Sequence, residues 1–393
     1  MLSKKASAAA TVSAPAPEPE TWPPSPPNAQ FIVIGLSGSP YIRVYPWTSA
    51  GLGAAGDYSG LSGIAIAVNS VHVSSNGGLI VAGTTASPRI HLWNFDAMAG
   101  GWGGKYANPG ALPPGPVNQV RMANNYGIIA AYGNTASSTG STLTLFSFST
   151  GAGAGLVWLD QSDSWSNGGR YGCKWDKDSN SVILGGSQTS NRAVIFTTGV
   201  SPYSLSSATP TVNLTGQGVN QTATGMAFHP TQNVVALGIN STATSTKLYA
   251  WGWANKTLGS SFPSYTTPSG NYWTGVNDMS FSNSGNVVFL ALGLSATGNV
   301  GSHIAAVKWE QDTGFGTLYS NPATTPGGNG IAIVSSYDDG EVLIRSTNSP
   351  YLHAYQWSYD TGFGTKYSIA TSVGTPTNSA CISLAFGTSY SVT

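Results

Sequence analysis

The stretch Val307–Pro326 reads V-K-W-E-Q-D-T-G-F-G-T-L-Y-S-N-P-A-T-T-P and predicts two antiparallel strands joined by a tight turn. The first strand ends near Trp309, and Phe315–Tyr319 begins the return strand. Asp312-Thr313-Gly314 is typical of a hairpin turn, because aspartate bonds its own backbone and glycine adopts a positive φ. Pro322 then ends the return strand, since proline cannot donate to a β-ladder.

This phrase belongs to an internal repeat. It recurs as Q-W-S-Y-D-T-G-F-G-T-K-Y at Gln356–Tyr367 and, with a longer turn, at Leu92–Pro109. A strand of small and β-branched residues also recurs along the chain, at a spacing of about 50 residues that is typical of propeller blades. Its copies are Phe31–Leu36, Leu79–Gly83, Ile128–Gly133, Val182–Gly186, Val234–Gly238, Val287–Gly293 and Glu341–Arg345.

The repeat predicts the fold class. Each of these recurring strands is followed by another strand, which in most copies ends in an aromatic residue. Most of them are also preceded by a short strand. The return strand of the hairpin phrase is the fourth strand of the unit. Units of four strands at this period favour an all-β fold, a seven-bladed β-propeller whose blades pack face to face.

The two ends of the repeat region predict how the ring closes. The first repeat begins at Phe31 with its second strand, whereas Ala380–Phe386 resembles a first strand that nothing follows. We therefore expect the C-terminal strand to pair with the N-terminal strand and complete its blade. The alternative is an open array of about six and a half units, which would expose an apolar blade face.

Residues 1–29 differ in composition from the propeller, residues 30–393. They are rich in alanine, proline and serine, which favours an extended arm without a core. We expect this arm to bind a partner through the cluster Trp22, Pro23, Pro24, Pro26 and Pro27. Two alternatives stay open: Trp22 lies against its own domain, or Lys4 and Lys5 begin a cleaved signal peptide.

Composition argues against several function classes. Charged residues make up 8% of the chain and sum to zero, which disfavours nucleic-acid binding. No run of 18 apolar residues occurs, so no membrane-spanning helix is expected. Cys173 and Cys381 do not form a disulfide framework, and we expect both to be small buried residues.

No recognised catalytic or metal-binding pattern appears, so the sequence predicts no catalytic residue, metal or cofactor. The five histidines lack H-x-H or H-E-x-x-H spacing. Asp338 and Asp339, like Asp176 and Asp178, fall where turns between strands are expected and are interpreted as turn caps. The six arginines lie scattered along the chain, and a substrate-clamping triad among them is not expected.

Aromatic residues outside the repeat pattern are the remaining candidates for a binding site. Trp165, in D-S-W-S-N-G-G, and Tyr272-Trp273, in G-N-Y-W-T-G, are predicted to lie at loop tips. There they would contact a ligand or a partner, and a sugar ring would stack on such faces. The alternative is local packing within the loops.

Two resemblances add to this interpretation. F-S-N-S-G-N-V-V-F-L-A-L-G, starting at Phe281, resembles the inner strands of WD-repeat propellers, although the Trp-Asp and Gly-His dipeptides are missing. The pattern D-T-G-F-G-T-x-Y-S-x-P-A-x-x-P-x-G, best kept at Asp312–Gly327 and Asp360–Ala370, resembles WD-like propeller repeats of tailed, especially marine, bacteriophage virions. The second resemblance implies a component of the virion.

The functional expectation follows from this resemblance. We expect a non-enzymatic virion structural protein, a head decoration or a tail-associated protein, assembled in the host cytoplasm and docked to capsid or tail subunits through its arm. It would bind no nucleic acid and no membrane, and could form a homo-oligomer on the particle. The alternatives are an adsorption module for host-surface glycans and a secreted propeller lectin or enzyme.

Overall fold

A computed structural model describes residues 29–39, 41–48, 51–53, 64–96, 101–124, 127–134, 140–149, 155–162, 171–185, 193–198, 205, 212–213, 222–240, 246–254, 256–266, 273–294, 303–348, 350–369 and 381–389. These residues form strands and turns, and no helix occurs among them. None of the described segments is therefore a helix long and apolar enough to cross a bilayer.

The first fifteen strands follow one another in short segments. They are β1 Ala29–Leu36, β2 Ile42–Thr48, β3 Gly51–Leu52, β4 Val68–Val73, β5 Leu79–Thr84, β6 Ile90–Asp96, β7 Gly101–Lys105, β8 Val117–Met122, β9 Ile128–Asn134, β10 Ser141–Ser149, β11 Gly155–Gln161, β12 Tyr171–Trp175, β13 Ser181–Gly185, β14 Ala193–Thr197 and β15 Val212–Asn213.

The remaining strands continue the same pattern. They are β16 Thr222–Phe228, β17 Val234–Asn240, β18 Thr246–Ala254, β19 Thr257–Ser261, β20 Tyr265–Thr266, β21 Trp273–Phe281, β22 Val287–Leu294, β23 Ile304–Glu310, β24 Gly314–Leu318, β25 Gly330–Ser335, β26 Glu341–Ser346, β27 Leu352–Ser358, β28 Gly362–Lys366 and β29 Cys381–Ser389. Each of the seven recurring strands of the sequence forms the body of one of these elements, β1, β5, β9, β13, β17, β22 or β26.

The strands build an all-β propeller fold from six hydrogen-bonded sheets. Five sheets have four strands, in the orders β29-β1-β2-β3, β4-β5-β6-β7, β8-β9-β10-β11, β12-β13-β14-β15 and β25-β26-β27-β28. The sixth has nine strands and contains β16–β24. Within it, β17 and β21 share a single residue pair, Asn240 opposite Gly275.

The predicted hairpin is confirmed. Glu310 at the end of β23 lies opposite Gly314 at the start of β24, and Trp309 lies opposite Phe315. Gly314 has a φ of +85°, the left-handed conformation that glycine adopts at little cost. Gly362 plays the same part between β27 and β28, with a φ of +80°.

The terminal strands of the described chain lie together. β29 pairs antiparallel with β1, with Phe386 opposite Ile32 and Cys381 opposite Leu36. Cys381 therefore lies in the sheet that holds Phe31, as the sequence predicts.

The core lies between the faces of neighbouring sheets. Phe31 and Val33 of β1 pack with Val71 and Ile80 of the β4–β7 sheet. The alternate residues Ile32 and Ile34 point to the other face, because side chains alternate along a strand, and pack with the β25–β28 sheet. The sheet that contains both β1 and β29 is thus covered on both faces.

The hairpin phrase also makes the contact between successive sheets. Tyr319 follows β24 and packs against Gly362 of the next sheet. A Cβ added to Gly362 would lie 3.1 Å from Cδ1 of the Tyr319 ring. Tyr367 follows β28 and packs against Gly51 in the same way, since a Cβ added to Gly51 would lie 2.9 Å from Cδ1 of the Tyr367 ring. Each tyrosine also packs edge-on against a tryptophan of the next sheet, Trp357 and Trp47, with ring centroids 4.9 and 5.2 Å apart. Glycine and tyrosine of the phrase are therefore partners across the boundary between sheets.

Candidate functional site

Three basic side chains occupy equivalent positions on the first strands of three sheets. His72 of β4 lies opposite Val81, Arg121 of β8 opposite Ala130, and Lys174 of β12 opposite Ile183. Each of those partners is the third residue of the following strand. The same register positions on β16, β21 and β25 carry Ala227, Ser280 and Val334. We call the first strands of the sheets the inner wall. At this register position, the wall carries basic residues on β4, β8 and β12 and uncharged residues on β16, β21 and β25.

A cavity of about 460 Å³ lies against these first strands. Its lining is rich in amide and hydroxyl groups, and its charged members are Arg121, Lys174, Asp278 and Arg345. The volume falls within the range usual for small-molecule sites, and convergent polar groups are what such sites use to orient a ligand. The cavity is therefore the candidate functional site.

Polar side chains of the wall bind the backbone of the next sheet. Asn69 Nδ2 donates to the Val117 carbonyl at 3.0 Å, and Asn277 Nδ2 donates to the Gly330 carbonyl at 2.7 Å. The Thr224 hydroxyl donates to the carbonyl of Val276 in the same way. These amides and this hydroxyl hold neighbouring sheets together, so their presence at the cavity has a structural cause.

A second set of wall side chains accepts hydrogen bonds across the same boundaries. Gln119 Oε1 accepts from Cys173 N at 2.6 Å, and Asp278 Oδ2 accepts from Ile333 N at 3.1 Å. The hydrogen bond from Ile333 N thereby holds one oxygen of the Asp278 carboxylate in place. Its other oxygen, Oδ1, lies 4.0 Å from Lys174 Nζ, an ion pair without a short hydrogen bond.

Charge at the wall is only partly compensated. The side chains of Lys174 and Asp278 keep 20% and 19% of their surface accessible, so both reach the cavity. Burial lowers the pKa of Lys174, Asp278 partly opposes that shift, and Arg121 adds to it. Burial also lowers the pKa of Arg121. Two cations thus share a desolvated wall with a single carboxylate, which costs free energy.

Arg121 is anchored to the backbone, and two further groups of the wall are uncharged. Arg121 Nη1 donates to the Val120 carbonyl at 2.7 Å. His72 Nδ1 accepts from Met122 N at 3.2 Å, and burial, Arg121 and Lys174 hold its pKa well below the ordinary value. Burial raises the pKa of the Cys173 thiol to about 12. His72 and Cys173 are therefore neutral near pH 7.

The arrangement has the parts of a hydrolytic site. A carboxylate that is positioned by a backbone donor can accept a proton from water, and adjacent cations can stabilise a developing oxyanion. Asp278 supplies the first part, and Lys174 with Arg121 supplies the second. Among the described residues, no cluster of histidine, cysteine and acidic side chains could hold a metal ion.

Histidines elsewhere in the described chain are packing residues. His91 is 1% exposed and stacks on Trp93, with ring centroids 5.5 Å apart. His353 is equally buried, and its Nε2 lies 3.0 Å from the Ser346 hydroxyl.

Trp273, one of the aromatic residues singled out from the sequence, does not line the cavity. Trp273 is not at a loop tip: it is the first residue of β21, is 6% exposed and stacks on Tyr265 with ring centroids 6.3 Å apart. That prediction is wrong, because a tryptophan beginning an inner strand packs against its neighbour. Trp165 and Tyr272 lie outside the described residues, as does the cluster of the arm, Trp22, Pro23, Pro24, Pro26 and Pro27.

The residues of the cavity were missed in the sequence. Arg121 was counted among scattered arginines, and Lys174 and Asp278 were not singled out at all. A signal was available, since V-R-M and C-K-W sit at the same place in successive repeats. Aligning the first strands of the repeats would have placed Arg121 and Lys174 side by side.

Comparison with known proteins gives likeness at the level of the fold. No protein-family model and no curated protein matches the chain. Of the solved structures, a "putative 6-phosphogluconolactonase" from Bacteroides uniformis is 14% identical with a TM-score of 0.63, covering 91% of this chain and 99% of its own. The periplasmic gluconolactonase of Pseudomonas aeruginosa is 9% identical with a TM-score of 0.61, covering 87% and 96%.

A third structure with this fold is named for its architecture alone. The β-propeller domain of Swd1 from Myceliophteria thermophila is 11% identical with a TM-score of 0.53, covering 82% of this chain and 93% of its own. At these identities the likeness establishes the fold.

The comparison corrects one expectation from the sequence. The prediction that the chain is not an enzyme is contradicted, because solved structures that match most of its length are named for lactonase activity. A sequence shows catalytic motifs only where their residues are close together along the chain. The charged wall of the cavity is assembled from strands about 50 residues apart.

Proposed function

We propose that the cavity binds a small hydroxyl-rich acid or its lactone, and that the chain hydrolyses the lactone. The observation that carries the proposal is the Asp278–Lys174 pair, which faces a cavity lined also by amides, hydroxyls and the two arginines Arg121 and Arg345. Amide and hydroxyl groups suit a polyol, and the names of similar structures supply the class of reaction.

The proposed reaction uses the chain's own side chains. Asp278 Oδ1 accepts a proton from a water molecule as its oxygen bonds to the lactone carbonyl carbon. Lys174 and Arg121 stabilise the resulting oxyanion. The carbonyl re-forms, the ring C–O bond breaks, and the proton returns from Asp278 to the departing alkoxide. The products are a carboxylic acid and an alcohol on one open chain.

The test measures hydrolysis of glucono-δ-lactone and of 6-phosphogluconolactone above their spontaneous rates, by proton release in weak buffer. We expect wild-type protein to accelerate one of them, and Asp278→Asn to lower kcat by about 100-fold, the usual loss for a general base. Lys308→Met, on the outer rim where Lys308 lies over Tyr319 and Tyr359, should leave the rate unchanged. Acceleration that survives in Asp278→Asn would reject the assignment.

We further propose that the propeller has seven blades in a closed ring. Counting β16–β19 and β21–β24 as separate units, whose described strands share the one ladder pair Asn240–Gly275, gives seven four-stranded units with the five separate sheets. The pairing of β29 with β1 and the packing of Tyr367 on Gly51 support closure between the last unit and the first.

A second proposal is that the protein is a component of a phage particle. The repeated D-T-G-F-G-T phrase favours it, since both copies form the same hairpin and resemble virion propeller repeats. Docking would use the arm of residues 1–29, which binds capsid or tail subunits. Deleting that arm should leave the propeller folded and abolish incorporation into particles; incorporation without the arm would contradict the docking role.

Binding of host-surface glycans stays a narrower proposal. Its aromatic candidates are reduced to Trp165 and Tyr272, because the ring of Trp273 is buried. Loss of adsorption to host cells in Trp165→Ala, with particle assembly intact, would support it, and normal adsorption would reject it.

A further inference from the structure

We propose that the cavity contains a subsite for one acidic group of the ligand, a carboxylate or a phosphate, between Arg121 and Lys174. The inference rests on the proposed function for the location of the ligand, but not for the reaction. It makes recognition directional: the acidic group faces the β8–β12 side of the wall, and the rest of the ligand extends toward β21 and β25.

The charge of the lining carries the first step. Arg121, Lys174 and Arg345 contribute three positive charges and Asp278 one negative charge, which leaves a formal excess of two. Although the whole chain has a formal net charge of zero, its cavity is therefore cationic. An anion is the ligand that such a wall attracts.

The register of the strands carries the second step. Arg121 and Lys174 lie on consecutive first strands at equivalent positions, so their head groups reach the cavity at one level. In this desolvated wall, the charge of Arg121 adds to the lowering of the pKa of Lys174 that burial causes. A bound carboxylate or phosphate relieves the repulsion and accepts charge-assisted hydrogen bonds from both.

The ammonium group of Lys174 has N–H groups available for such a ligand within the described structure. Its ammonium lies 4.0 Å from Asp278 Oδ1, too far for a short hydrogen bond. Asp278 is held on the opposite side by Ile333 N, and therefore does not follow Lys174 when an anion arrives. An anion can bind Lys174 while Asp278 stays in place.

The pH dependence follows from every titratable group at this wall. Because burial lowers the pKa of Lys174, phosphate affinity should begin to fall, as the pH rises into the alkaline range, at a lower pH than the pKa of about 10.4 of an ordinary lysine. Burial also lowers the pKa of Arg121, and it raises the pKa of the Cys173 thiol to about 12. His72 is already neutral in this range.

The experiment titrates full-length protein with inorganic phosphate, gluconate and glucose by calorimetry. We expect phosphate and gluconate to bind, glucose to bind more weakly, and Lys174→Met to lose about tenfold or more in phosphate affinity, as for one charge-assisted hydrogen bond. Lys174→Arg should keep most of the affinity. Lys308→Met, on the rim, should match wild type.

The outcomes separate this inference from the proposed reaction. Equal phosphate affinity in wild type and Lys174→Met, or no phosphate binding by wild type, overturns the subsite even if lactone is hydrolysed. Phosphate binding that depends on Lys174, without lactone hydrolysis, supports the subsite and rejects the reaction. Circular dichroism of each variant verifies that the fold is intact, and Lys174→Arg keeps the comparison valid if Lys174→Met does not fold.

Discussion

At the scale of single residues, the hairpin glycines do two things at once. Gly362 adopts a φ of +80°, and Tyr319 of the preceding sheet lies in the space a side chain would need. Gly314 repeats both features, with a φ of +85° and Phe262 in the corresponding place. The sequence predicts the turn from Asp-Thr-Gly, but the contact with tyrosine joins two different repeats and is visible only when they stand side by side.

We expect Gly362→Ala to lower the free energy of unfolding by about 2 kcal/mol, from the positive φ and the contact with Tyr319 together. Gly104→Ala is the matched control, since nothing lies within 4 Å of the added Cβ in that outer strand. Chemical denaturation of the two variants measures the difference. Equal stabilities would show that the glycine is not required by the contact.

A second prediction at this scale concerns tryptophan burial. Trp273→Ala should cost about 3 kcal/mol of stability, the usual loss for a buried tryptophan. Trp158 is 40% exposed on β11, so Trp158→Ala should change stability by less than about 0.5 kcal/mol. Thermal unfolding of both variants compares them. A small loss in Trp273→Ala together with lost ligand binding would restore the loop-contact hypothesis.

At the scale of elements, periodicity identified the second strand of every repeat, because small and β-branched residues recur wherever a strand is buried on both faces. The first strands were harder to find, since each carries polar residues toward the cavity and apolar residues toward its neighbours. Lys174 in β12 is such a residue. Its role depends on strands far away in the chain, which composition and spacing do not reveal.

We expect removal of residues 381–393 to abolish cooperative unfolding, because β1 then loses the partner that lies along its whole length. A synthetic peptide of residues 380–393, added in excess, should restore it by taking the place of β29. A peptide of the same composition in scrambled order is the control. Normal unfolding of the truncated chain would argue against the closed ring.

At the scale of the whole molecule, buried histidines link stability to pH. Burial lowers the pKa of His91 to about 3 and that of His353 to about 4, below the value near 6.5 of an unfolded histidine. As the pH falls, the unfolded chain therefore takes up protons before the folded one. The contribution of these histidines to the free energy of unfolding is therefore fully present above about pH 6.5 and is lost progressively as the pH falls toward 4.

His91→Phe should reduce this loss. Neither ring nitrogen of His91 has a hydrogen-bond partner in the described part of the chain, so phenylalanine keeps the stacking on Trp93 and removes two unsatisfied polar atoms. We expect a gain of about 1 kcal/mol at pH 7 and a larger gain at pH 5. Denaturant titrations at the two pH values measure it.

Tyr249→Phe is the control for this variant, because Tyr249 stacks on Trp251 as His91 does on Trp93 but does not titrate in this range. A stability difference between pH 7 and pH 5 that is the same in wild type and His91→Phe would show that other groups govern the acid response.

The contact between Gly362 and Tyr319 has a consequence for how such a chain can grow. One copy of the phrase carries both halves of the contact, the glycine that receives a ring and the tyrosine that provides one. A gene duplication of that segment therefore yields a unit that fits the neighbour on either side from the start. Natural selection then has to adjust the angle between units and need not invent a new way of joining them.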